Sequence, residues 1–317
     1  MMHTACKRPD EEDMQNWTRR QALAGFVIAA KLAAQRPSNL PNEDCIDAHV
    51  HVWEPANARF PYDPAYDGPK ELPTTFTPSN LLSIAQPVGV KRIVLVQMSF
   101  YGTDNSYMLD AIKLHPSKFS GIAVVDRTSL SLSNEMSRLR TLGVRGFRIA
   151  QGNHPAGWLE MPDMRRLWSL AAEKQMVVCS LVNPADLSSL DRMCADFPET
   201  TLAIDHIARI GMAGPVRDVD VAALCRLSRH PRVHVKVSAF YALGKKLPPY
   251  NDLVPLISAL YDSYGPHRLM WGSDSPYQVQ PPHTYGASLD LVRNGLPFLS
   301  PQDKAWLLGK SAQSVFF

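Results

Sequence analysis

The chain has 317 residues, 45% hydrophobic and 20% charged, with 33 Lys+Arg against 30 Asp+Glu and a formal net charge of +3. This is the balance of an ordinary globular protein. With no Lys/Arg run, it excludes a nucleic-acid binder that works by bulk charge. The five cysteines (Cys6, Cys45, Cys179, Cys194 and Cys225) form no CxxC pair, which excludes a zinc-finger or disulfide scaffold.

Residues 1–40 read as a leader rather than as part of the fold. Arg19-Arg20 precede the apolar run Ala22–Ala30, Lys31 ends it, and Leu32-Ala33-Ala34 offers small residues for cleavage. The pattern resembles a twin-arginine (Tat) export signal. It implies export machinery as a partner and a periplasmic location, with the cytoplasm as the alternative. The run is shorter than the ~20 apolar residues that span a bilayer, so no membrane span is expected. Asp10-Glu11-Glu12-Asp13 is an acidic stretch atypical of such leaders.

From residue 41 on, short strand-like runs alternate with amphipathic segments. Strands are expected at Cys45–Val50, Arg92–Met98, Phe119–Val125, Val144–Ala150, Met176–Val182, Thr201–Asp205, Val233–Ser238 and Arg268–Gly272. Helices are expected at Ser106–Leu114, Leu130–Leu142, Met164–Lys174, Ala185–Phe197, Val219–Ser228, Leu253–Tyr264 and Pro301–Ser311. Near-continuous apolar strands, each followed by a helix, predict a (β/α)8 TIM barrel forming a single catalytic domain over 41–317. An open doubly wound sheet is the alternative. No GxGxxG follows a strand, which removes its usual dinucleotide use.

In such barrels the chemistry sits at the C-terminal strand ends. Strand one ends in His49 and His51. On a strand, residues i and i+2 share a side, so their imidazoles can converge on a metal ion or a substrate oxygen. Strand two ends in Gln97-Met98-Ser99 and the loop Gly102-Thr103-Asp104-Asn105. Strand four carries Arg145 and Arg148, and strand six ends in Asp205-His206 with Arg209 beyond. Strand seven holds Lys236 and Ser238, and strand eight ends in Gly272-Ser273-Asp274-Ser275-Pro276.

Five segments match one pattern: Asp47–His51, Gly143–Arg148, Ile204–Arg209, Val235–Ser238 and Met270–Pro276. Over roughly Asp44 to Phe317 the chain resembles the amidohydrolase superfamily, in its amidohydrolase-related branch of lactonases and decarboxylases. Phe60-Pro61-Tyr62 and the stretch Gly102 to Asp126 are most similar to the 2-pyrone-4,6-dicarboxylate lactonases. The resemblance implies a catalytic set of His49, His51, His206 and Asp274 without a required metal. It also implies that Arg148 and Arg209 bind a substrate carboxylate.

Strand five, Val177–Val182, has no histidine, and strand four offers arginine rather than lysine or glutamate. Metal-binding members of the superfamily usually carry a histidine on strand five, so the resemblance implies no binuclear centre. A mononuclear zinc on His49, His51 and Asp274 is the metal-bound alternative. The loops Gln151–His154 and Phe240–Leu243 lack the further arginines of those lactonases.

The resulting expectation is a hydrolase that opens the lactone of a small carboxylated molecule. Asp274 acts as general base, the histidines polarise the carbonyl, and Ser99, Thr103 and Tyr62 orient the substrate. The competing readings are a metal-dependent decarboxylase or lactone isomerase on the same barrel, and a non-catalytic exported binding protein.

Overall fold

The computed structural model describes residues 45–66, 68, 74–151 and 157–317. The expected leader over residues 1–40 lies outside them. Eight strands form one parallel sheet in the order of the chain: β1 (Cys45–Val50), β2 (Val90–Val96), β3 (Phe119–Ala123), β4 (Val144–Ala150), β5 (Val177–Leu181), β6 (Thr201–Ile204), β7 (Val233–Ser238) and β8 (Leu269–Gly272). The helices between them are α1 (Pro78–Ala85), α2 (Ser106–Leu114), α3 (Leu132–Thr141), α4 (Pro162–Glu173), α5 (Leu187–Asp196), α6 (Asp218–Arg226) and α7 (Val254–Tyr264). After β8 come α8 (Tyr285–Asp290), α9 (Pro301–Ala305) and α10 (Ser311–Phe316). This is the (β/α)8 TIM barrel that the alternation of elements predicts.

Each expected strand is present, within a few residues. β2 starts earlier and ends at Val96 rather than Met98, because the chain turns into a short 3-10 segment at Ser99–Tyr101. Two helices were not anticipated. One, α1, carries a legible signal: Thr77 caps the Asn80 N–H, the Asn80 side chain answers the Thr77 backbone, and Pro78 opens the helix. The expected final helix Pro301–Ser311 is broken by a wide π-type turn at Trp306–Lys310, and the chain then continues as α10. Among the described residues, no helix is long and apolar enough to cross a membrane.

The ring closes between β1 and β8. Asp274 N–H donates to the His49 carbonyl at 2.8 Å, and His51 N–H donates to the Ser275 carbonyl at 2.9 Å. The buried Asp47 carboxylate braces the same seam. It accepts from Ser273 N–H at 2.8 Å, His49 N–H at 3.1 Å and the Tyr285 hydroxyl at 2.7 Å. Gly272 makes the approach possible, because a Cβ there would stand 3.0 Å from His49 Cβ and 3.1 Å from His49 N.

Ile46 and Ala48 of β1, Val94 and Val96 of β2, Ile122 of β3, Val177 and Cys179 of β5, Ala203 of β6 and Met270 of β8 form one apolar cluster with Ala312 and Phe316 of α10. Strands from all round the ring meet only inside it, so this cluster is the barrel interior. Phe316 is fully buried in it. The four described cysteines are free, and Cys45 and Cys179 are small buried hydrophobes on their strands.

Candidate active site

Past the apolar cluster, the same strands turn polar. His49, His51, Asp205, His206, Lys236, Ser238 and Asp274 are all buried. The β1–β2 ladder shifts register between Asp47 and Val50, and the two strand-one histidines meet with their Nε2 atoms 3.3 Å apart. His51 Nδ1 lies 2.8 Å from the Val96 carbonyl. A carbonyl only accepts, so His51 carries its proton on Nδ1 and turns an Nε2 lone pair to the site.

Asp274 stands in the left-handed region, with φ 62°. Its Oδ1 is 3.2 Å from His51 Nε2 and 3.6 Å from His49 Nε2, and its Oδ2 is 3.7 Å from His206 Nε2. The Tyr241 hydroxyl donates to Oδ2 at 2.7 Å, while Oδ1 has no hydrogen-bond partner among the described residues. Burial alone would raise the Asp274 carboxyl, but the surrounding histidines, His206 foremost, hold it well below the usual carboxylate range. Burial pushes His206 down and His49 well down, so both favour the neutral imidazole.

His206 opens a run of four non-glycine residues in left-handed backbone: His206, Ile207, Ala208 and Arg209, with φ 53°, 52°, 51° and 59°. Such residues cost about 1–2 kcal/mol each and persist only where their surroundings enforce them. The run ties His206 Nδ1 to Ser238 Oγ at 2.8 Å.

Beneath the histidines lies a buried ion pair. Lys236 Nζ is 3.0 Å from Asp205 Oδ1, with both side chains 0% exposed. Burial works against the Asp205 charge, but the Lys236 ammonium outweighs it and holds that carboxyl well below its usual range.

The two arginines differ. Arg148 Nε comes within 3.9 Å of Asp205 Oδ2, so part of its charge is answered from within. Arg209 makes no ion pair among the described residues; its Nε lies 3.0 Å from Met212 Sδ. Ser99 and Thr103 are exposed. Their carbonyls are engaged locally, by Gly102 N–H at 3.0 Å and Asn105 Nδ2 at 2.9 Å. Tyr62 packs on Phe100 at 4.6 Å between ring centroids. Phe100 leads through Trp53 (5.7 Å) and Tyr277 (6.1 Å) to Tyr241 (6.1 Å), an aromatic wall that ends at the Asp274 carboxylate.

The structure brings His49, His51 and His206 round Asp274, while Ser99 and Thr103 are exposed. Sequence reasoning gave no role to Asp205, Lys236, Ser238 or Tyr241. The available signal was a lysine at the centre of Val233–Ser238, a strand otherwise built for burial.

His49, His51 and Asp274 can present three ligand atoms within 4.8 Å of one another. The free Oδ1 of Asp274 and the Nε2 lone pair of His51 suit one divalent cation. A second group, His49, Asp205 and His206, meets the same distance test, but the Lys236 ammonium already occupies its carboxylate.

A barrel with an imidazole–carboxylate cluster at its C-terminal rim defines a class of enzymes that activate water or a carbonyl. The chain belongs to the amidohydrolase family, whose model matches residues 46–317. It is 31% identical over 235 residues to a 4-sulfomuconolactone hydrolase of Rhizobium radiobacter, covering 73% of this chain and 75% of that one. It is 28% identical over 275 residues to an L-fucono-1,5-lactonase of Burkholderia ambifaria, covering 84% and 93%. The crystal structure of a probable 2-pyrone-4,6-dicarboxylic acid hydrolase from Acinetobacter baumannii, with citric acid bound, superposes with a TM-score of 0.74. It is 25% identical and covers 86% of this chain and 99% of that one.

Proposed function

We propose that the protein hydrolyses the lactone of a small carboxylated substrate. The observation that carries this is Asp274 Oδ1, a charged, buried oxygen with no hydrogen-bond partner among the described residues, flanked by the His49 and His51 imidazoles, with His206 on the other carboxylate oxygen. A water held there loses a proton to Asp274 as its oxygen bonds the lactone carbonyl carbon. Negative charge grows on the carbonyl oxygen, where an imidazole N–H turned into the site stabilises it by about 3–4 kcal/mol. The tetrahedral centre then collapses, the ring C–O bond breaks, and Asp274 returns the proton to the departing ring oxygen. Tyr241 holds the other carboxylate oxygen and so directs Oδ1 at the water.

Arg209 is the principal anchor for a substrate carboxylate, with Arg148 assisting, because the Arg209 guanidinium is less engaged by the protein. A forked, permanently charged guanidinium fits a carboxylate better than a neutral sugar hydroxyl. Tyr62 contributes through the aromatic wall, and Ser99 and Thr103 would reach the substrate only from the outer rim.

No metal is required in this reading. If a zinc ion binds, His49, His51 and Asp274 hold it, and it supplies Lewis-acid polarisation of the carbonyl. The decarboxylase, isomerase and binding-protein readings are not favoured, since the relatives named above are lactone hydrolases.

The test is turnover of a panel of acidic and neutral lactones by purified protein, before and after chelation and dialysis. Hydrolysis of an acidic lactone that survives chelation supports the proposal. Stoichiometric zinc whose removal abolishes turnover would replace it with a metal-dependent reading.

Export to the periplasm is proposed from Arg19-Arg20 ahead of Ala22–Ala30. Replacing both arginines with lysine should retain the protein in the cytoplasm, because a receptor reads that pair. Mature protein beginning near Gln35 in the periplasm supports export. Full-length protein in the cytoplasm of the native host refutes it.

A further inference from the structure

Lys236 is the least expected residue in the site. Its side chain is fully buried, and its ammonium meets Asp205 Oδ1 at 3.0 Å, His49 Nδ1 at 3.3 Å and the face of the Phe316 ring, 5.3 Å from its centroid, with the Cys179 thiol also beside it. An ammonium has three donors and no lone pair, so a hydrogen bond between Lys236 and His49 makes His49 Nδ1 the acceptor. Asp205 Oδ1 also lies 3.3 Å from His49 Nδ1. That approach lacks the alignment of a hydrogen bond, since Oδ1 has no such partner among the described residues. The proton of neutral His49 therefore sits on Nε2.

This assignment completes a chain in which each donor has an acceptor. Lys236 donates to His49 Nδ1. His49 Nε2–H then faces the lone pair of His51 Nε2 at 3.3 Å, and His51 Nδ1–H donates to the Val96 carbonyl at 2.8 Å. If His49 instead gave its Nδ1 proton to Asp205, two imidazole lone pairs and the free oxygen of Asp274 would face one another across 3.2–3.6 Å. Three acceptors at that spacing repel unless a cation lies among them.

We propose that Lys236 is a positioning residue that holds His49 in its Nε2–H form, so that His49, His51 and Asp274 work as a metal-free hydrogen-bonding site. Capture of a divalent cation by the same three residues requires that proton to move to Nδ1, facing Asp205. Taken with the lactone-hydrolase reading, on which this part rests, His49 is the imidazole that donates to the developing oxyanion. His51 is its resting acceptor, released when substrate arrives.

The test needs no substrate. Side-chain 15N–1H NMR of chelator-treated wild-type protein, with the His49 signal identified by its loss in His49→Gln, should show the Nε2–H tautomer. Zinc titration by calorimetry should show Lys236→Met binding zinc at least ~10-fold tighter than wild type, because the competing donor is gone while Asp205 is free to accept from Nδ1. Should Lys236→Met fail to fold around an unpaired Asp205, Lys236→Met/Asp205→Asn removes both charges and leaves an amide oxygen as acceptor; the same gain is expected. An Nδ1–H tautomer in the metal-free wild type, or zinc affinity unchanged or weaker in the folded variant, overturns the proposal. A protein with the expected tautomer and zinc response that opens no lactone in the panel would reject the functional reading and leave the role of Lys236 standing.

Discussion

Along the barrel axis, the same strands do two different jobs. Within the ring they contribute Ile46, Ala48, Val94, Val96, Val177, Cys179, Ala203 and Met270 to an apolar floor sealed by Phe316. The strands and the residues just past their ends also present His49, His51, Asp205, His206, Lys236 and Asp274, equally buried. The floor is held by close packing and tolerates no polar atom without a partner. The polar layer holds charges that burial disfavours, and it keeps them by pairing each one: Asp205 with Lys236, and Asp274 with the histidines and Tyr241. Lys236 stands at the border, with an aromatic face below and a carboxylate beside it. Stability and chemistry should therefore separate along the axis.

The largest effect expected on the floor is from Phe316→Ala, which removes a fully buried ring. It should cost about 3–5 kcal/mol of stability in urea unfolding. A loss below about 1 kcal/mol would mean that α10 does not seal the interior. In the polar layer, Asp274→Asn should lower kcat at least ~100-fold, with the unfolding midpoint nearly unchanged. Near-normal turnover on an identified lactone would remove Asp274 as the base. Together these two variants sharpen the division, one losing stability and the other activity.

His234 tests the division by pH. It lies on β7, two residues toward the floor from Lys236, and burial, assisted by Arg268, lowers it from an ordinary 6.5 to about 4. Between those values the unfolded chain takes up a proton that the folded protein refuses. The stability it contributes is complete above about pH 6.5 and falls as the pH drops toward 4, by about 3 kcal/mol in all. His234→Gln should flatten this part of the urea-midpoint profile. Parallel profiles for the variant and wild type would show that another group is responsible.

The smallest effect concerns the rim. Arg209→Met should raise KM for an acidic lactone roughly 10-fold, the scale of one charge-assisted contact. Arg148→Met should raise it less, because Arg148 already leans on Asp205. Unchanged KM on acidic and neutral lactones alike in Arg209→Met would dismiss the carboxylate anchor.

The sequence alone determined the barrel and the identity of the central cluster. Strand and helix periods are local properties, repeated here eight times. A strand-borne HxH pair and a late Gly-Ser-Asp carry a signal that survives without coordinates, because barrel topology places every strand end on one rim. What only tertiary structure decided is how those residues are wired. The Asp47 brace joins positions more than two hundred residues apart in the chain. Four left-handed residues after β6 set His206 against Ser238, a conformation that nothing in Ile204–Arg209 favours locally. Ser99 and Thr103 read as substrate-orienting residues from their position after β2, and only the structure shows that both are exposed. Lys236 could be read as a strand residue, but not as the partner of Asp205 and His49. Hydrogen bonds between strands depend on distances and proton positions that no spacing along the chain encodes.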